Sequence, residues 1–146
     1  MKKYILILLS IFSLAVCAED HTIKMLNNGA GGLMVFEPAS LVIQPGDTVH
    51  FKATDVMHNS ESIEGMIPSG ATPWAGQMSQ DISVTLTEEG LYVYKCTPHM
   101  MMAMIGVIQV GAASNSQQIE ALTGTLTAQF AMNKDRLTNY LSNLQK

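Results

Sequence analysis

Nine residues, Cys96-Thr97-Pro98-His99-Met100-Met101-Met102-Ala103-Met104, place a thiol, an imidazole and a thioether on one short segment at the spacing Cys-x2-His-x4-Met. A second imidazole, His58, lies upstream and is followed by Asn59. Two imidazoles and a thiolate in a trigonal set, with a weak axial thioether, make up the ligand set of blue-copper electron-transfer sites. The sulfur donors suit Cu(I), and imidazole suits both oxidation states. A site that satisfies neither state fully can exchange one electron with little rearrangement. His58, Cys96, His99 and Met104 are therefore read as candidate ligands of one copper ion per monomer. Pro98 lacks an N–H and cannot donate to the Cys96 sulfur, which leaves fewer hydrogen bonds on the thiolate. Hydrogen bonding around that sulfur is one of the levers on the potential of such sites.

The remaining histidines fit less well. His50 alternates with Val49 and Phe51 and is expected to face solvent. His21 is conditional: a chain beginning Glu19-Asp20-His21 could wrap an adventitious Cu(II) or Ni(II) in a square plane of nitrogens. Of the methionines crowding the loop, Met100, Met101 and Met102 read as soft apolar filler or an exposed rim, and Met104 alone has the ligand spacing.

The chain opens with Met1-Lys2-Lys3, runs apolar from Tyr4 to Val16 apart from two serines, and reaches small residues at Cys17 and Ala18 before Glu19-Asp20. A charged start, a short apolar stretch and a small-residue site mark a secretory leader cleaved after Ala18. Residues 1–18 are thus expected to be lost and 19–146 to form one domain. Losing Lys2 and Lys3 takes eight basic residues to six against twelve acidic ones, a net charge of −6. An acidic chain with no basic run is a poor nucleic-acid binder. Losing Cys17 leaves Cys96 as the sole thiol, so no internal disulfide can form. A buried inert thiol, an intermolecular disulfide, a nucleophile and a metal ligand are the alternatives. The flanking His and Met favour the ligand.

Short alternating or apolar runs, Thr22–Leu26, Met34–Phe36, Leu41–Ile43, Thr48–Lys52, Asp81–Leu86, Leu91–Lys95 and Ile105–Val110, are separated by turn residues such as Pro45-Gly46-Asp47. Such spacing predicts an all-β sandwich extending to about residue 112. Asn27 to Gly32 reads as a break, and residues 60–80, with three glycines and two prolines, as loop with at most one helical turn. From 114 to 146 the period turns helical: a short helix capped by Ser116 and ending at Gly124, then a longer one carrying Leu126, Phe130, Leu137, Leu141 and Leu144 on one face.

With these residues in place the chain resembles the cupredoxins, and among them the pseudoazurins. The resemblance runs through Met25-Leu26-Asn27, Met34-Val35-Phe36-Glu37-Pro38, Pro45-Gly46-Asp47-Thr48-Val49, His58-Asn59, Glu61-Ser62-Ile63, Met66-Ile67-Pro68, Lys95-Cys96-Thr97-Pro98-His99 and Met102-Ala103-Met104-Ile105, followed by two helices. It implies an eight-stranded Greek-key sandwich with two C-terminal α-helices and a type 1 copper near one end. It implies equatorial His58, Cys96 and His99 with axial Met104, an Asn59 N–H on the Cys96 sulfur, an Asn59 side chain tied to Thr97, and His99 as the electron port. It also implies a soluble, monomeric periplasmic carrier, no enzyme, that runs between c-type cytochrome donors and a denitrification reductase such as copper nitrite reductase, with no stable membrane association. One departure stands out. The lysine ring such proteins carry around the port is absent here, with only Lys95 beside the site. An apolar docking face of Met34, Met57, Pro98, Met100 and Met102 is expected in its place. The competing reading is a periplasmic copper carrier that passes the metal on, supported by the methionine excess and opposed by the fixed two-histidine site. A reductase would need a second, open metal position, and no spare histidine cluster supplies one.

Overall fold

The computed structural model describes residues 17–144. The leader expected over residues 1–18 therefore lies outside the described residues, except for Cys17 and Ala18. Eight strands run β1 (Asp20–Gly29), β2 (Gly32–Glu37), β3 (Ser40–Ile43), β4 (Thr48–Lys52), β5 (Glu61–Ser62), β6 (Ile82–Thr85), β7 (Gly90–Lys95) and β8 (Ile105–Val110). Two helices follow, α1 (Ser116–Thr127) and α2 (Arg136–Leu144). The strands form two four-stranded sheets in the orders β2-β1-β4-β6 and β3-β8-β7-β5, with β1/β4 and β3/β8 parallel and the other pairs antiparallel.

Period-two patterning decides which side chains meet inside. Ile23 and Met25 of β1 and Val49 and Phe51 of β4 face the opposite sheet and join Phe36, Trp74, Tyr92 and Tyr94 in the sandwich core. Their rings pack edge-on or stacked, with Phe36–Tyr94 centroids 4.7 Å apart and Phe51–Tyr94 5.0 Å. The strands β7 and β8 read as continuous apolar runs because both their faces are covered. Tyr92, Tyr94, Ile108 and Val110 point into the sandwich. Leu91, Val93, Ile105 and Val107 point outward against Ile119, Leu126, Phe130 and Leu137 of the helical tail. The tail is thus the third layer of the domain. Among the described residues no helix is long and apolar enough to cross a membrane.

Four expectations are corrected in detail. The chain does not break at Asn27: β1 continues to Gly29, which pairs with Gly32 across a turn at Ala30-Gly31. The 60–80 segment holds no helical turn but supplies the eighth strand, β5, paired with Tyr94 and Lys95. Two polar residues, Glu61 and Ser62, carry no strand pattern of their own, so only the β7 edge reveals it. Gly124 does not end the first helix, which runs on to Thr127 and takes in Leu126; Phe130 lies between the helices, and the second, Arg136–Leu144, is the shorter of the two. Gly124 sits inside α1 with open space where a side chain would be, so a glycine there costs only its propensity. Finally, Ser116 is the first residue of α1, not its cap. Asn115 precedes it, and its side chain spends itself on the Leu91 backbone, accepting from the Leu91 N–H (2.7 Å) and donating to the Leu91 carbonyl (3.0 Å). That pair fastens α1 to β7.

Candidate metal centre

Cys96 directly follows β7 and Met104 directly precedes β8, so the chemistry-bearing loop is pinned between two hydrogen-bonded strands. The Cys96 N–H donates to the Met104 carbonyl at 2.9 Å and the Met104 N–H to the His99 carbonyl at 3.2 Å. Between them Thr97–Met102 winds as a 3-10 turn with Pro98 in its first turn, where a missing N–H costs nothing. The turn stops at Ala103, which takes the left-handed conformation (φ 56°) and donates back to the Met100 carbonyl. His58 arrives from the other sheet through a segment held by the 74–79 loop. The Met57 N–H donates to Ser79 Oγ (2.8 Å), the Ser79 N–H to the His58 carbonyl (2.8 Å), and the Gly76 N–H to the Ser60 carbonyl (2.8 Å). Trp74 Nε1 donates to Ser60 Oγ (3.0 Å) and locks this segment to the aromatic core.

The result is a triangle of donors. Cys96 Sγ lies 3.6 Å from His58 Nδ1 and 3.4 Å from His99 Nδ1, and the two nitrogens are 3.2 Å apart. A triangle of that size puts its centre about 2 Å from each corner, the length of a metal–imidazole bond. The donors thus fit a single ion. Met104 is fully buried, as are His58 and Cys96, whereas His99 is half-buried.

Tautomer and charge are set by neighbours. His58 Nε2 lies 3.0 Å from Asn27 Oδ1. An amide oxygen only accepts, so Nε2 carries the proton and Nδ1 turns its lone pair into the triangle. Burial, and then the neighbouring His99, push the His58 pKa down, which favours the neutral ring a metal needs. Burial pushes the Cys96 thiol up, opposed first by the backbone N–H of Asn59 directed at its sulfur. Pro98 has no N–H to offer the sulfur, and the His99 N–H that follows it is hydrogen-bonded to the Cys96 carbonyl (3.2 Å).

Asn59 joins the two sheets' contributions. Its Oδ1 accepts from the Thr97 N–H (2.8 Å), and its Nδ2 donates to Thr97 Oγ1 (3.0 Å) and to the Gly76 carbonyl (3.2 Å). Thr97 Oγ1 in turn donates to Glu61 Oε2 (2.7 Å). Asn27 and Glu61 fall within stretches that carry the family resemblance, but sequence reasoning gave neither a role at the site. Read from its neighbours, Asn27 belonged to an Asn-Asn-Gly stretch, which pointed to a turn instead.

The other histidines are occupied elsewhere. His50 sits on the sheet surface, with Nδ1 2.7 Å from Ser83 Oγ and Nε2 3.3 Å from Asp20. His21 Nε2 is 2.9 Å from the buried Asp47, whose other oxygen accepts from the Glu19 N–H at 2.8 Å. Residues 20 and 21 are extended and paired with Thr48 and Val49, so Glu19-Asp20-His21 cannot close around an ion without releasing the start of β1. Around the triangle, Met57 (60% exposed) and Met101 (64%) are open to solvent, Pro98 is exposed, and Met34, Met100 and Met102 are partly buried. Lys95 is drawn to Glu61 at 3.5 Å.

Two four-stranded sheets closing on a buried His2Cys triangle at one end define a cupredoxin-type copper protein. The family model described as copper binding proteins, plastocyanin/azurin family, matches residues 23–111, and the chain belongs to that family. The pseudoazurin of Paracoccus pantotrophus is 45% identical over 96 residues, 66% of this chain and 66% of the relative. The chain thus spans about two thirds of the length of the curated relatives it matches. Among solved structures, native pseudoazurin from Hyphomicrobium denitrificans superposes with a TM-score of 0.77 at 35% identity, covering 85% of this chain and 97% of that one. Pseudoazurin from Methylobacterium extorquens AM1 gives 0.73 at 36% identity, covering 86% and 98%. Copper is the cofactor, and His58, Cys96, His99 and Met104 are positioned as type 1 ligands.

Proposed function

We propose that residues 19–146, exported by cleavage after Ala18, act as a monomeric periplasmic one-electron carrier and not as an enzyme. His58, Cys96 and His99 hold the metal equatorially and Met104 axially. When bound, copper supplies the one-electron couple Cu(II)/Cu(I). The observation that carries this reading is the triangle itself: three donors already within 3.6 Å of one another, two of them sealed from solvent. A preformed, buried ligand set asks for little movement when the charge at its centre changes. Copper transfer as cargo would instead need an exchangeable site.

The protein's own groups have distinct tasks in this scheme. Asn27 fixes the His58 tautomer, the Asn59 N–H offsets charge on the sulfur, and the Asn59 side chain ties the loop to the far sheet. His99, the one half-exposed ligand, is the port. Around it Met34, Met57, Pro98, Met100 and Met102, joined by exposed Met101, offer an apolar face to redox partners. Cytochrome-type donors and a terminal reductase of denitrification, such as copper nitrite reductase, are the partners that the likeness to pseudoazurins supports. With Lys95 engaged by Glu61, that face has little positive charge with which to steer an acidic partner.

The test is the visible spectrum of residues 19–146 loaded with Cu(II), beside Cys96→Ser. An intense thiolate-to-copper band that bleaches reversibly with a mild reductant, and is absent from the variant, is expected. Weak copper bands in both proteins would overturn the ligand assignment.

A further inference from the structure

Arg136 is the chain's single arginine, and it is buried, 8% exposed, at the start of α2. No carboxylate pairs with it among the described residues. Its guanidinium is satisfied by five backbone carbonyls instead. Nη1 donates to Met34 (3.0 Å), Met102 (3.3 Å) and Ala103 (3.3 Å), and Nη2 to Leu33 (3.0 Å) and Gly31 (3.1 Å). A buried cation without a counter-ion is costly unless its donors are met, and here they are met by two separate segments: the β1–β2 hairpin and the exit of the ligand loop. Lysine could not do this, because a point charge on a flexible stem lacks the fixed fork.

Two of those carbonyls belong to Met34 and Ala103, non-glycine residues held at positive φ (49° and 56°). Such conformations are uncommon for side chains of this kind and persist where the surroundings over-determine them. Arg136 is a shared part of the surroundings of both. The Ala103 carbonyl also belongs to the peptide that leads into Met104. The N–H of that peptide donates to the His99 carbonyl at 3.2 Å, and its oxygen accepts from the Ile105 N–H at 3.0 Å and from Arg136 at 3.3 Å. The peptide plane is therefore gripped at both ends, at its N–H by the loop and at its oxygen by β8 together with the helical tail. Rotating that plane would move the Met104 Cα, and its side chain with it.

We propose that Arg136 is a positioning residue for the axial ligand: from α2 it fixes the Ala103–Met104 peptide and so the placement of Met104 at the copper. This rests on the type 1 reading above. It assigns the helical tail a part in the metal centre besides covering the outer face of β7 and β8.

The experiment compares Arg136→Met, which keeps the stem and loses charge and donors, with Arg136→Lys, which keeps the charge and loses the fork. Leu144→Ala, a buried change at the far end of α2, serves as a control for plain loss of stability. Each is read by thermal unfolding without metal, by copper affinity in chelator competition, and by the symmetry of the Cu(II) electron paramagnetic resonance spectrum. Both Arg136 variants are expected to lose about tenfold or more in copper affinity, as losses around a ligand shell typically do, and to change the spectral symmetry. Lysine should not rescue. Leu144→Ala should unfold earlier with an unchanged spectrum and affinity. If Arg136→Met does not fold, Arg136→Lys decides alone. Wild-type spectrum and affinity in the Arg136 variants, or the same spectral change in Leu144→Ala at matched stability, would overturn the proposal. A wild-type protein without the thiolate band would instead overturn the metal reading beneath it.

Discussion

Truncating Asn59 to alanine should cost the protein twice, once in the fold and once at the metal. The side chain makes three hydrogen bonds, to the Thr97 N–H, Thr97 Oγ1 and the Gly76 carbonyl. Each such bond contributes about 0.5–1.5 kcal/mol net, but Thr97 is exposed and water can replace part of what it loses. The expected loss is therefore about 1–3 kcal/mol, and for a domain of this size that lowers Tm by about 4–10 °C. The backbone N–H of Asn59 that faces the Cys96 sulfur survives the substitution, so the charge around the thiolate should change little. What is lost is the strut that keeps the Cys96 end of the loop at a fixed distance from the His58 segment. Copper affinity should fall by about tenfold or more. Thermal unfolding of the metal-free protein and competition with a chelator of known affinity measure the two effects separately. An Asn59→Ala protein with both Tm and copper affinity unchanged would refute the bracing argument, and with it the claim that the triangle is held from outside.

Three further outcomes are expected. An alanine at Gly106 would drive its Cβ into the Tyr94 phenol, against Oη and Cζ. The ring is enclosed in the core, so Gly106→Ala should destabilise by about 1–3 kcal/mol or more, as measured by denaturant unfolding. Asp47 is held below its ordinary pKa of 3.8, first by the Glu19 N–H, then by the Gln44 N–H and by His21. Because the folded value is the lower one, its contribution is complete above that ordinary value and drains away as the pH falls below it, since the unfolded chain takes up the proton first. Asp47→Asn should flatten that acid limb of the stability profile. Finally, electron exchange with an acidic reductase should depend weakly on ionic strength, because no lysine ring surrounds His99. A steep fall in stopped-flow rate between low and physiological salt would count against the apolar face.

What was readable in the sequence, and what was not, follows from how each residue acts. Cys96, His99 and Met104 lie on one loop, so spacing alone proposes them together. Most strands were legible because Ile23 and Met25, or Val49 and Phe51, alternate with polar neighbours. β5 was not, since Glu61 and Ser62 form a strand only because Tyr94 and Lys95 offer an open edge. Gly124 misled because a glycine late in a periodic run resembles a stop, yet nothing crowds it and α1 runs on. Asn27 and Arg136 act across distances of 31 and more than 100 residues. No local pattern encodes a side chain whose partners are that remote. The presence of one arginine among lysines was the only trace of the second.

In the carrier proposed above, the unequal burial of the ligands also shapes the traffic through the molecule. His58, Cys96 and Met104 are closed off, and His99 alone reaches the rim. A carrier with one doorway cannot hold its donor and its acceptor at the same time. Each must leave before the other arrives, so the two compete for one patch and throughput is capped by how quickly a spent partner departs. Tighter binding would lengthen the queue. A small, readily broken contact is the better design for such a surface, and methionine side chains, which conform to varied partners without committing to one, suit a doorway that several visitors must share.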